Sequence, residues 1–540
     1  MVQSQVIRIA LTAVTSVFVY YALKFLRFQC RKLTSPLRHI PGPKATHWIM
    51  GNPEVLSKDT QSIQRKWIAK FGSTFTLFGA LNTRHLFTTD TRALSYVLQH
   101  GENYQKPKSR REGIVHGQGL LRVRGEQHKN QRRIMNPAFG PLQLRELTPI
   151  IFDKVNLMRD LWFREVPAGG KPVTLNALSW LSKAALDIIG LAGFHYRFNS
   201  LNPEGKPNEL NAAFSAVFAA SLGSFGSVNT FVRGMFPILD AVFPDNRRLK
   251  VMEARKTMAH VGNQLLAESK SQFSSENDKG GEKVKARDLL SLLVKANMSQ
   301  DGGRHLTDDE LSGQIPTFLV AGHETTSTAT TWALFSLTQH PAVQSKLRDE
   351  CLTLSTDTPT MDELNALPYL EAVVREALRV HAPVPLTYRS VTKDDVIPLG
   401  TPFVDVNGVR HESIKVARGD TVAIPIMSTN HSATIWGEDA EAFDPERWLE
   451  GNTPEGAHGI PGVWGNQMTF MGGPHACIGF RFSLLEMKAL LFSLLRSFTF
   501  ELAVPSEDIV PKQTMVRRPT VASQPEKGAQ LPVVVRRYEA

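Results

Sequence analysis

The chain has 540 residues, of which 42% are hydrophobic, so it can bury one large core or several small ones. Its three cysteines (Cys30, Cys351 and Cys477) lie far apart, which argues against a disulfide scaffold and favours a reducing, cytosol-facing environment. The formal charge of +11 favours a membrane surface or an acidic protein as partner, or is simply a basic surface. No nucleic-acid partner is expected, because no motif interleaves basic and aromatic residues.

The N-terminal residues 1–28 are predicted to be a membrane anchor. The stretch from Val6 to Leu26 is uncharged except for Arg8 and Lys24, whose charged ends can reach the interface, and it is long enough to cross a bilayer. The cations near and beyond the end of this stretch are Lys24, Arg27, Arg31, Lys32 and Arg38. By the positive-inside rule, they put the rest of the chain in the cytosol. A cleaved signal peptide is the alternative, which the lack of a small-residue cleavage site disfavours.

Residues 29–43 are predicted to be a basic, proline-rich linker to a body of residues 44–540. The linker ends in His39-Ile-Pro-Gly-Pro43, where two prolines flank a glycine. Such a sequence forms a stiff, non-helical connector. It separates the anchor from the body and is expected to fix the angle of the body to the membrane.

The body is predicted to be mainly α (α+β), a helix-rich domain with small β-sheets at one side. Helical periodicity dominates from Leu142 to Arg379. Residues 73–78 and 83–89 are predicted to form a short antiparallel pair. Further strands are predicted at residues 387–391 and 421–426, and a mobile polar loop at residues 274–285.

The longest helix is predicted to begin at Thr307 and to end near His340. Thr307-Asp-Asp-Glu310 is a capping box, and Pro316 either kinks the helix or marks its true start. Inside it lies Ala321-Gly-His-Glu-Thr-Thr326, where Ala321 and Thr325 share one face. The small residues let a flat molecule lie against the backbone. Thr325 can donate to a carbonyl of the preceding turn, which makes room for water.

Cys477 lies in the decapeptide Phe470-Met-Gly-Gly-Pro-His-Ala-Cys-Ile-Gly479, just before a run with helical spacing. Its place before a helix N-terminus predicts a lowered pKa for the thiol. Glycines such as Gly473 and Gly479 let backbone approach a flat, bulky group. Phe470 can shield the sulfur. This pattern is typical of an axial thiolate for haem iron, and the alternative is a buried, inert cysteine.

The decapeptide follows Phe-x-x-Gly-x-(Arg or His)-x-Cys-x-Gly and closely resembles the haem loop of the cytochrome P450 family. The hexapeptide from Ala321 resembles the distal-helix motif of that family, and the proline-rich linker resembles the hinge of its membrane-bound members. The stretch Gly459-Ile-Pro-Gly-Val-Trp-Gly resembles fungal microsomal members. The resemblance implies the cytochrome P450 fold and haem b (iron protoporphyrin IX) with Cys477 as its axial ligand.

The resemblance also implies roles for further residues. Glu324 and Thr325 would deliver protons for oxygen activation through ordered water. Glu376-Ala-Leu-Arg379 and the later Arg447 would form one buried cluster that holds the irregular segment under the haem. The residues expected to contact the haem besides Cys477 are Arg132, His128, Arg389, His475, Phe470, Ala321, Gly473 and Gly479.

Of the expected propionate contacts, Arg132 matches the usual arginine of the family. His128 stands where tryptophan is usual, so a surface histidine is as good a reading. His475 stands where arginine is common, and Arg389 is a third candidate. The segments expected to contact substrate are residues 111–121, 214–236, 318–321, 384–387 and 514–516.

The reaction implied is monooxygenation, in which one atom of O2 enters a C–H bond of an apolar small molecule such as a terpenoid, a sterol or another secondary metabolite. No nucleotide-binding or flavin domain is evident, so electrons would come from NADPH through a separate NADPH–cytochrome P450 reductase. The setting would be the endoplasmic reticulum membrane, with one span, lipid contacts and a cytosolic catalytic domain. A haem-thiolate isomerase, dehydratase or peroxide-using enzyme is one alternative, and a non-catalytic haem protein is another. A membrane-anchored serine hydrolase is not expected, because the sequence contains no Gly-x-Ser-x-Gly motif.

Overall fold

The computed structural model describes residues 2–56, 60–107, 117–169, 171–202, 210, 212–213, 233, 246–277, 288–298, 305–513 and 516–539. The chain forms two compact units. Unit 1 comprises residues 1–55, 62–105 and 388–424, and unit 2 comprises residues 56–61, 106–387 and 425–540.

The described helices and strands carry the following labels. The helices are α1 (Val2–Thr34), α2 (Thr60–Phe71), α3 (Thr91–Gln99), α4 (Gly125–Met135), α5 (Pro141–Glu165), α6 (Ala177–Phe194), α7 (Asn246–Asn277), α8 (Leu289–Met298), α9 (Asp308–Ser312), α10 (Gln314–Gln339), α11 (Pro341–Leu352), α12 (Met361–Asn365), α13 (Pro368–Val380), α14 (Ile426–Asn430), α15 (Ala433–Trp436) and α16 (Phe480–Ser497). The strands are β1 (Thr74–Phe78), β2 (Arg84–Thr88), β3 (Tyr104–Gln105), β4 (Val173–Asn176), β5 (Thr387–Val391), β6 (Asp395–Val404), β7 (Arg410–Val416), β8 (Thr421–Ile424), β9 (Phe498–Leu502), β10 (Ile509–Gln513), β11 (Arg517–Val521) and β12 (Pro532–Arg537).

Unit 1 contains a five-stranded sheet with the order β1-β2-β8-β5-β3 and the separate hairpin β6–β7. The predicted antiparallel pair is confirmed as β1–β2, in which Thr74 lies opposite Thr88. The predicted strand 387–391 is β5. The strand predicted at 421–426 ends at Ile424, because Pro425 caps the short helix that begins at Ile426.

Unit 2 holds most of the helices, as the periodicity predicts, around one large apolar core. Helix α10 crosses this core and packs against α6 and α16. Two small sheets accompany the helices, one with the order β4-β12-β9 and the other the pair β10–β11. The prediction of a helix-rich α+β fold with small sheets is confirmed.

The predicted helix from Thr307 to His340 is two helices. The capping box of Thr307 and Glu310 is present, but it starts the short α9. The helix is interrupted at Gly313, and α10 begins at Gln314, with Pro316 in its first turn. The prediction that this is the longest helix is wrong, because α1 has 33 residues and α7 has 32, against 26 for α10.

The predicted polar loop and the predicted linker are both partly helical, because the helices beside them are longer than expected. Helix α7 continues to Asn277, so residues 274–277 of the predicted loop are helical, and residues 278–285 lie outside the described part of the chain. Helix α1 contains the predicted anchor and continues to Thr34, into the predicted linker. Within the described residues, the helix that meets the length and hydropathy expected of a membrane span is α6, and 72% of it is buried inside the structure. Helix α6 is therefore a core helix, and the anchoring role of α1 stays a prediction.

Candidate functional site

Cys477 lies on a tight loop between a 3-10 turn at Gly473–His475 and helix α16. Its backbone N–H donates to the carbonyl oxygen of Phe470 at 2.9 Å, which closes the loop. The ring of Phe470 packs against Phe480, the first residue of α16, with the ring centroids 6.0 Å apart. The loop therefore presents the thiol from a fixed backbone, with an aromatic ring beside it.

Two glycines give the loop its path for different reasons. Gly473 has a φ of +70°, a left-handed conformation that side chains disfavour. Gly472 has an ordinary φ, but a Cβ atom there would overlap the carbonyl oxygen of Pro461. The loop thus lies directly on the neighbouring backbone. Gly479, by contrast, caps α16, and a Cβ there would meet only an ordinary contact with Phe139.

The prediction of a lowered pKa for the Cys477 thiol is wrong for the protein without metal. Burial raises the pKa of this thiol, and the backbone N–H of Gly479 and the charge of Arg132 act in the opposite direction with less effect. The thiol is nonetheless exposed, because it opens into a cavity while protein surrounds its other sides. An uncompensated thiolate is disfavoured there, and a coordinated cation would stabilise it.

The cavity in front of Cys477, together with the solvent space at its mouth, has an empty volume of about 860 Å³, and its mostly apolar walls all belong to unit 2. The thiol loop and the start of α16 form one part of its wall, and the middle of α10 forms another. Its described lining residues are Lys106, Leu120, Leu121, His128, Arg132, Phe139, Ile189, Thr317, Phe318, Ala321, Gly322, Thr325, Thr326, Phe470, His475, Ala476, Cys477, Ile478, Gly479, Phe482 and Ser483.

On the α10 wall, Ala321 and Thr325 face the cavity together, as their spacing predicts. The hydroxyl of Thr325 donates to the carbonyl oxygen of Ala321 at 2.6 Å. Gly322 is explained by packing, because a Cβ atom there would lie 3.1 Å from Cγ1 of Ile189 on α6. One turn further, the Thr326 hydroxyl donates to that of Ser483 at 3.1 Å and joins α10 to α16.

Glu324 does not line the cavity, although it neighbours Thr325 in the sequence. Its buried carboxylate contacts the guanidinium of Arg518 on β11, and its Oε1 atom lies 3.3 Å from Nε2 of His323. Burial, followed by the charge of Arg518, lowers the pKa of His323 to about 4, so this imidazole is neutral. The structure therefore separates the two expected relay residues, with Thr325 in the cavity wall and Glu324 in an ion pair.

Three of the expected propionate contacts meet on one side of the cavity. Arg132 donates from Nη1 to the carbonyl oxygen of Ala476 and from Nε to Oδ1 of Asn136 at 3.0 Å. The rings of His128 and His475 pack with their centroids 4.0 Å apart. Burial and then the charges of Lys106 and Arg132 lower the pKa of His128 to about 4. His128 is therefore a buried neutral imidazole in the wall.

Arg389 belongs to unit 1, on strand β5, and does not line the cavity. Its side chain is buried and donates from Nη1 to the carbonyl oxygen of Tyr388 at 2.9 Å. Burial lowers the pKa of this guanidinium to about 10. Its expected contact with a propionate stays a prediction.

Glu376, Arg379 and Arg447 form one buried network. Arg379 makes a two-pronged contact with Glu376, at 2.8 Å from Nε and 2.7 Å from Nη2. Arg447 donates from Nε to Glu376 at 3.2 Å, and the indole of Trp448 donates to the same carboxylate at 2.8 Å. Arg379 also donates to backbone carbonyls of residues 430, 440 and 442. The network thus ties α13 to the irregular chain that precedes the thiol loop.

Of the segments expected to contact substrate, Leu120, Leu121, Phe318 and Ala321 line the cavity. Residues 111–116, 214–232, 234–236 and 514–515 lie outside the described part of the chain. The described residues 384–387 and 516 are not in the wall.

Sequence reasoning missed some wall residues, among them Ile189 and Ser483. Ile189 gave no signal, because it is one apolar residue in an apolar helix. Ser483 gave a weak signal, a hydroxyl within the apolar run after Gly479. Neither residue could have been placed in the wall without the fold.

The residues present fit a haem. A soft sulfur ligand opens into an apolar cavity, and Ala321 and Gly322 on the α10 part of the wall add almost no side-chain bulk. Arg132, His128 and His475 also line the cavity, where they can donate hydrogen bonds to carboxylates. A haem-thiolate site needs a sulfur ligand for the iron, cationic or hydrogen-bond-donating groups for the propionates and apolar walls around the ring.

Comparison with known proteins gives one consistent family. A model of the cytochrome P450 family matches residues 40–531. Cytochrome P450 monooxygenase 205 of Postia placenta is 51% identical over 94% of both chains, and monooxygenase 128 of the same fungus is 47% identical over 97% of both. Cytochrome P450 monooxygenase claQ of Ampulloclitocybe clavipes is 35% identical over 97% of both chains.

Proposed function

The chain belongs to the cytochrome P450 family, is a haem-thiolate monooxygenase and uses O2, a substrate and a redox partner; from this premise we propose what it acts on, where, and through which residues. The substrate is an apolar small molecule, a terpenoid, a sterol or another secondary metabolite, and one oxygen atom enters one of its C–H bonds. Electrons come from NADPH through NADPH–cytochrome P450 reductase. The protein is anchored in the endoplasmic reticulum membrane by α1.

One observation supports the assignment of the site: Cys477 lines an apolar cavity whose wall also contains Ala321 and Thr325. Cys477 would hold the haem iron, with Phe470 beside the sulfur. Arg132, His128 and His475 would hold the propionates, and Ala321, Gly473 and Gly479 would pass close to the ring. When bound, the haem supplies the reduction and cleavage of O2.

The residues of this chain have separate tasks around the site. Thr325 would hold a proton at its Oγ1 atom in the cavity wall, where its bond to Ala321 orients it. Glu324 would supply protons from behind the wall, held meanwhile by Arg518. The apolar walls exclude water and favour an apolar substrate. Glu376, Arg379 and Arg447 would keep the thiol loop in place.

The membrane setting rests on the apolar stretch of α1 and on the cations that follow it. Lipid would surround residues 6–26. The basic surface implied by a charge of +11 suits an acidic flavoprotein as electron donor. Deletion of residues 1–28 tests the anchor, because the full-length protein should sediment with vesicles after a carbonate wash and the truncated protein should not.

The carbon-monoxide difference spectrum tests the thiolate. We expect the reduced, CO-treated protein to show the red-shifted Soret band of haem-thiolate proteins, and Cys477→Ala to lose it. Cys351→Ala is the matched control, because Cys351 is a buried thiol away from the cavity whose pKa burial raises to about 12. A Cys477→Ala protein that keeps the band would overturn the assignment.

Labelled dioxygen tests the reaction with a substrate found by spectral screening. Monooxygenation should place one labelled atom in the product and consume one NADPH for each turnover with the reductase present. Product without label would identify an isomerase, dehydratase or peroxide-using enzyme. Absence of turnover with every terpenoid and sterol that shifts the spectrum would favour a haem carrier.

A further inference from the structure

We propose that Gln314, Gln131 and Glu310 are positioning residues that hold Leu120 and Leu121 in the cavity wall and thereby set the size of ligand that the cavity accepts. The inference rests on the proposed haem site. None of the three residues lines the cavity, and each acts through the backbone that carries the two leucines.

Gln314, the first residue of α10, is fully buried and uses both ends of its amide. Its Oε1 atom accepts from the backbone N–H of Leu120 at 3.0 Å. Its Nε2 atom donates to Oε1 of Gln131 at 3.0 Å and to the carbonyl oxygen of Glu310 at 2.9 Å. One side chain thus ties the wall residue Leu120 to two helices.

Gln131, on α4, is also fully buried and extends the network. It donates from Nε2 to the carbonyl oxygen of Gln118 at 2.8 Å and to Oε1 of Glu310 at 3.1 Å. Gln127, one turn earlier, donates to the same Oε1 atom at 2.7 Å. The wall segment is therefore held at two backbone groups, the N–H of Leu120 and the carbonyl of Gln118.

Glu310 is the charged centre of the network. Its Oε2 atom accepts from the backbone N–H of Thr307 at 3.0 Å, and its Oε1 atom accepts from the two glutamines. Burial alone would raise the pKa of Glu310, but these hydrogen bonds together lower it. The carboxylate is therefore ionised, and hydrogen bonds to an ionised acceptor are about twice as strong as those between neutral groups.

Glycines let the wall segment lie directly on the break between α9 and α10. A Cβ atom on Gly117 would lie 2.8 Å from the Cα atom of Gly313, and one on Gly313 would lie 2.8 Å from the backbone nitrogen of Gly119. A Cβ on Gly119 would overlap Oγ1 of Thr317, itself a wall residue. Backbone packed this closely cannot shift without breaking the amide network.

The energetic consequence is a wall with one favoured position. A buried polar group that loses its partner costs about 1–3 kcal/mol, and a displacement of Leu120 that breaks this bond leaves both its own N–H and the Oε1 atom of Gln314 without a partner. The leucine side chains alone would adapt to a larger ligand by small shifts. The network removes that freedom, so the cavity discriminates between ligands by size.

Azole ligands of two sizes test the proposal on the haem-loaded protein. Imidazole and clotrimazole bind haem iron and shift the Soret band, so the ratio of their dissociation constants reports how the wall treats a bulky ligand. We expect Gln314→Met, which keeps the side-chain length but cannot form the bonds, to change this ratio by about tenfold, the usual scale of discrimination in apolar pockets.

Gln344→Met is the matched control. Gln344 is a buried glutamine that accepts from the backbone N–H of Phe500 at 3.0 Å and donates to the carbonyls of Leu337 and Phe500, away from the cavity. A changed ratio in Gln314→Met alone supports the proposal. An unchanged ratio there, or an equal change in both variants, overturns it. A wild-type protein whose Soret band ignores imidazole would instead count against the haem site.

Hydrogen exchange on the wild-type holoprotein decides the matter if Gln314→Met does not fold. The Leu120 amide, read at single-residue resolution by fragmentation, should exchange at least about a hundredfold more slowly than an unbonded loop amide, since its opening breaks a buried bond. Slow exchange keeps the proposal, and exchange at the rate of an open loop overturns it.

Discussion

The guanidinium of Arg518 contacts the carboxylate of Glu324, one residue before the hydroxyl of Thr325 that faces the cavity. Two neighbours in the sequence thus lie in different environments, because successive residues of a helix point about 100° apart. His323 lies beside the same carboxylate as a neutral imidazole. In the proton supply that we propose at the cavity wall, Thr325 would therefore act directly and Glu324 only indirectly.

This separation predicts unequal effects of two substitutions on turnover. Thr325→Val removes the hydroxyl from the wall and should lower product formation by about a hundredfold, the usual scale for loss of a positioned proton donor. Glu324→Gln should lower it by less than about tenfold, because Glu324 does not line the cavity and its carboxylate is held by Arg518. The measurement is product, hydrogen peroxide and NADPH consumption for each variant with the reductase. A larger loss in Glu324→Gln would show that the carboxylate leaves Arg518 and acts in the cavity.

Removal of Arg379 should prevent stable haem binding. Arg379→Ala leaves the fully buried Glu376 with one cation fewer, which costs about 3–5 kcal/mol. The segment before the thiol loop also loses its three backbone contacts with Arg379. We expect purified Arg379→Ala to contain little haem, measured by the ratio of Soret to protein absorbance. Arg145→Ala, which breaks the exposed pair with Asp362, is the control and should keep full haem content. Normal haem content in Arg379→Ala would contradict a structural role.

Gly472 should tolerate no side chain, although its φ of −133° is ordinary. Gly472→Ala places a methyl group on the Pro461 carbonyl oxygen and should lower the free energy of unfolding by about 3 kcal/mol, the upper end for overpacking. The variant should also bind little haem. Gly408→Ala, at a φ of +83° in open space, should cost only about 1–2 kcal/mol of backbone strain. Thermal unfolding and haem content measure both. Similar losses in the two variants would mean that the loop can move away from Pro461.

His323 should make the stability of the protein fall in mild acid. Its pKa is about 4 in the folded protein, because burial and then the charge of Arg518 disfavour the proton, against 6.5 for an ordinary histidine. The unfolded chain therefore binds a proton that the folded protein does not bind between these pH values. The contribution of His323 to the free energy of unfolding should drop by about 1.4 kcal/mol per pH unit as the pH falls from 6.5 towards 4. His323→Gln should reduce this slope in urea titrations, and an unchanged slope would contradict the assignment.

The parts of the fold that the sequence predicted are those that local chemistry decides. The β1–β2 pair, the capping box at Thr307 and the bond from Thr325 to Ala321 each follow from a few neighbouring residues. The break at Gly313 follows only in part, because Pro316 indicates a helix start nearby but the close approach of Gly117 and Gly119 comes from another segment. A helix pattern carries no information about such a neighbour.

The site shows the same division. The spacing of Ala321 and Thr325 placed both in the cavity wall, but the role of Gly322 needed the fold, because its neighbour is Ile189 on α6. The lowered pKa expected for Cys477 followed from its place before a helix, and burial outweighs that effect. The partner of Glu324 lies far along the chain, on β11. Pairings of this kind are fixed by tertiary contacts alone.

With α1 anchored in the membrane as proposed above, its continuity to Thr34 has a consequence for orientation at the lipid surface. From Leu26 to Thr34 the helix rises about 12 Å at 1.5 Å per residue, which clears the headgroup layer above the hydrocarbon. A flexible tether would leave unit 1 free to rotate about the membrane normal, whereas a continuous helix couples the orientation of unit 1 to that of its membrane segment. Inserting one alanine after Leu26 would thus turn unit 1 by about 100° while lifting it only about 1.5 Å.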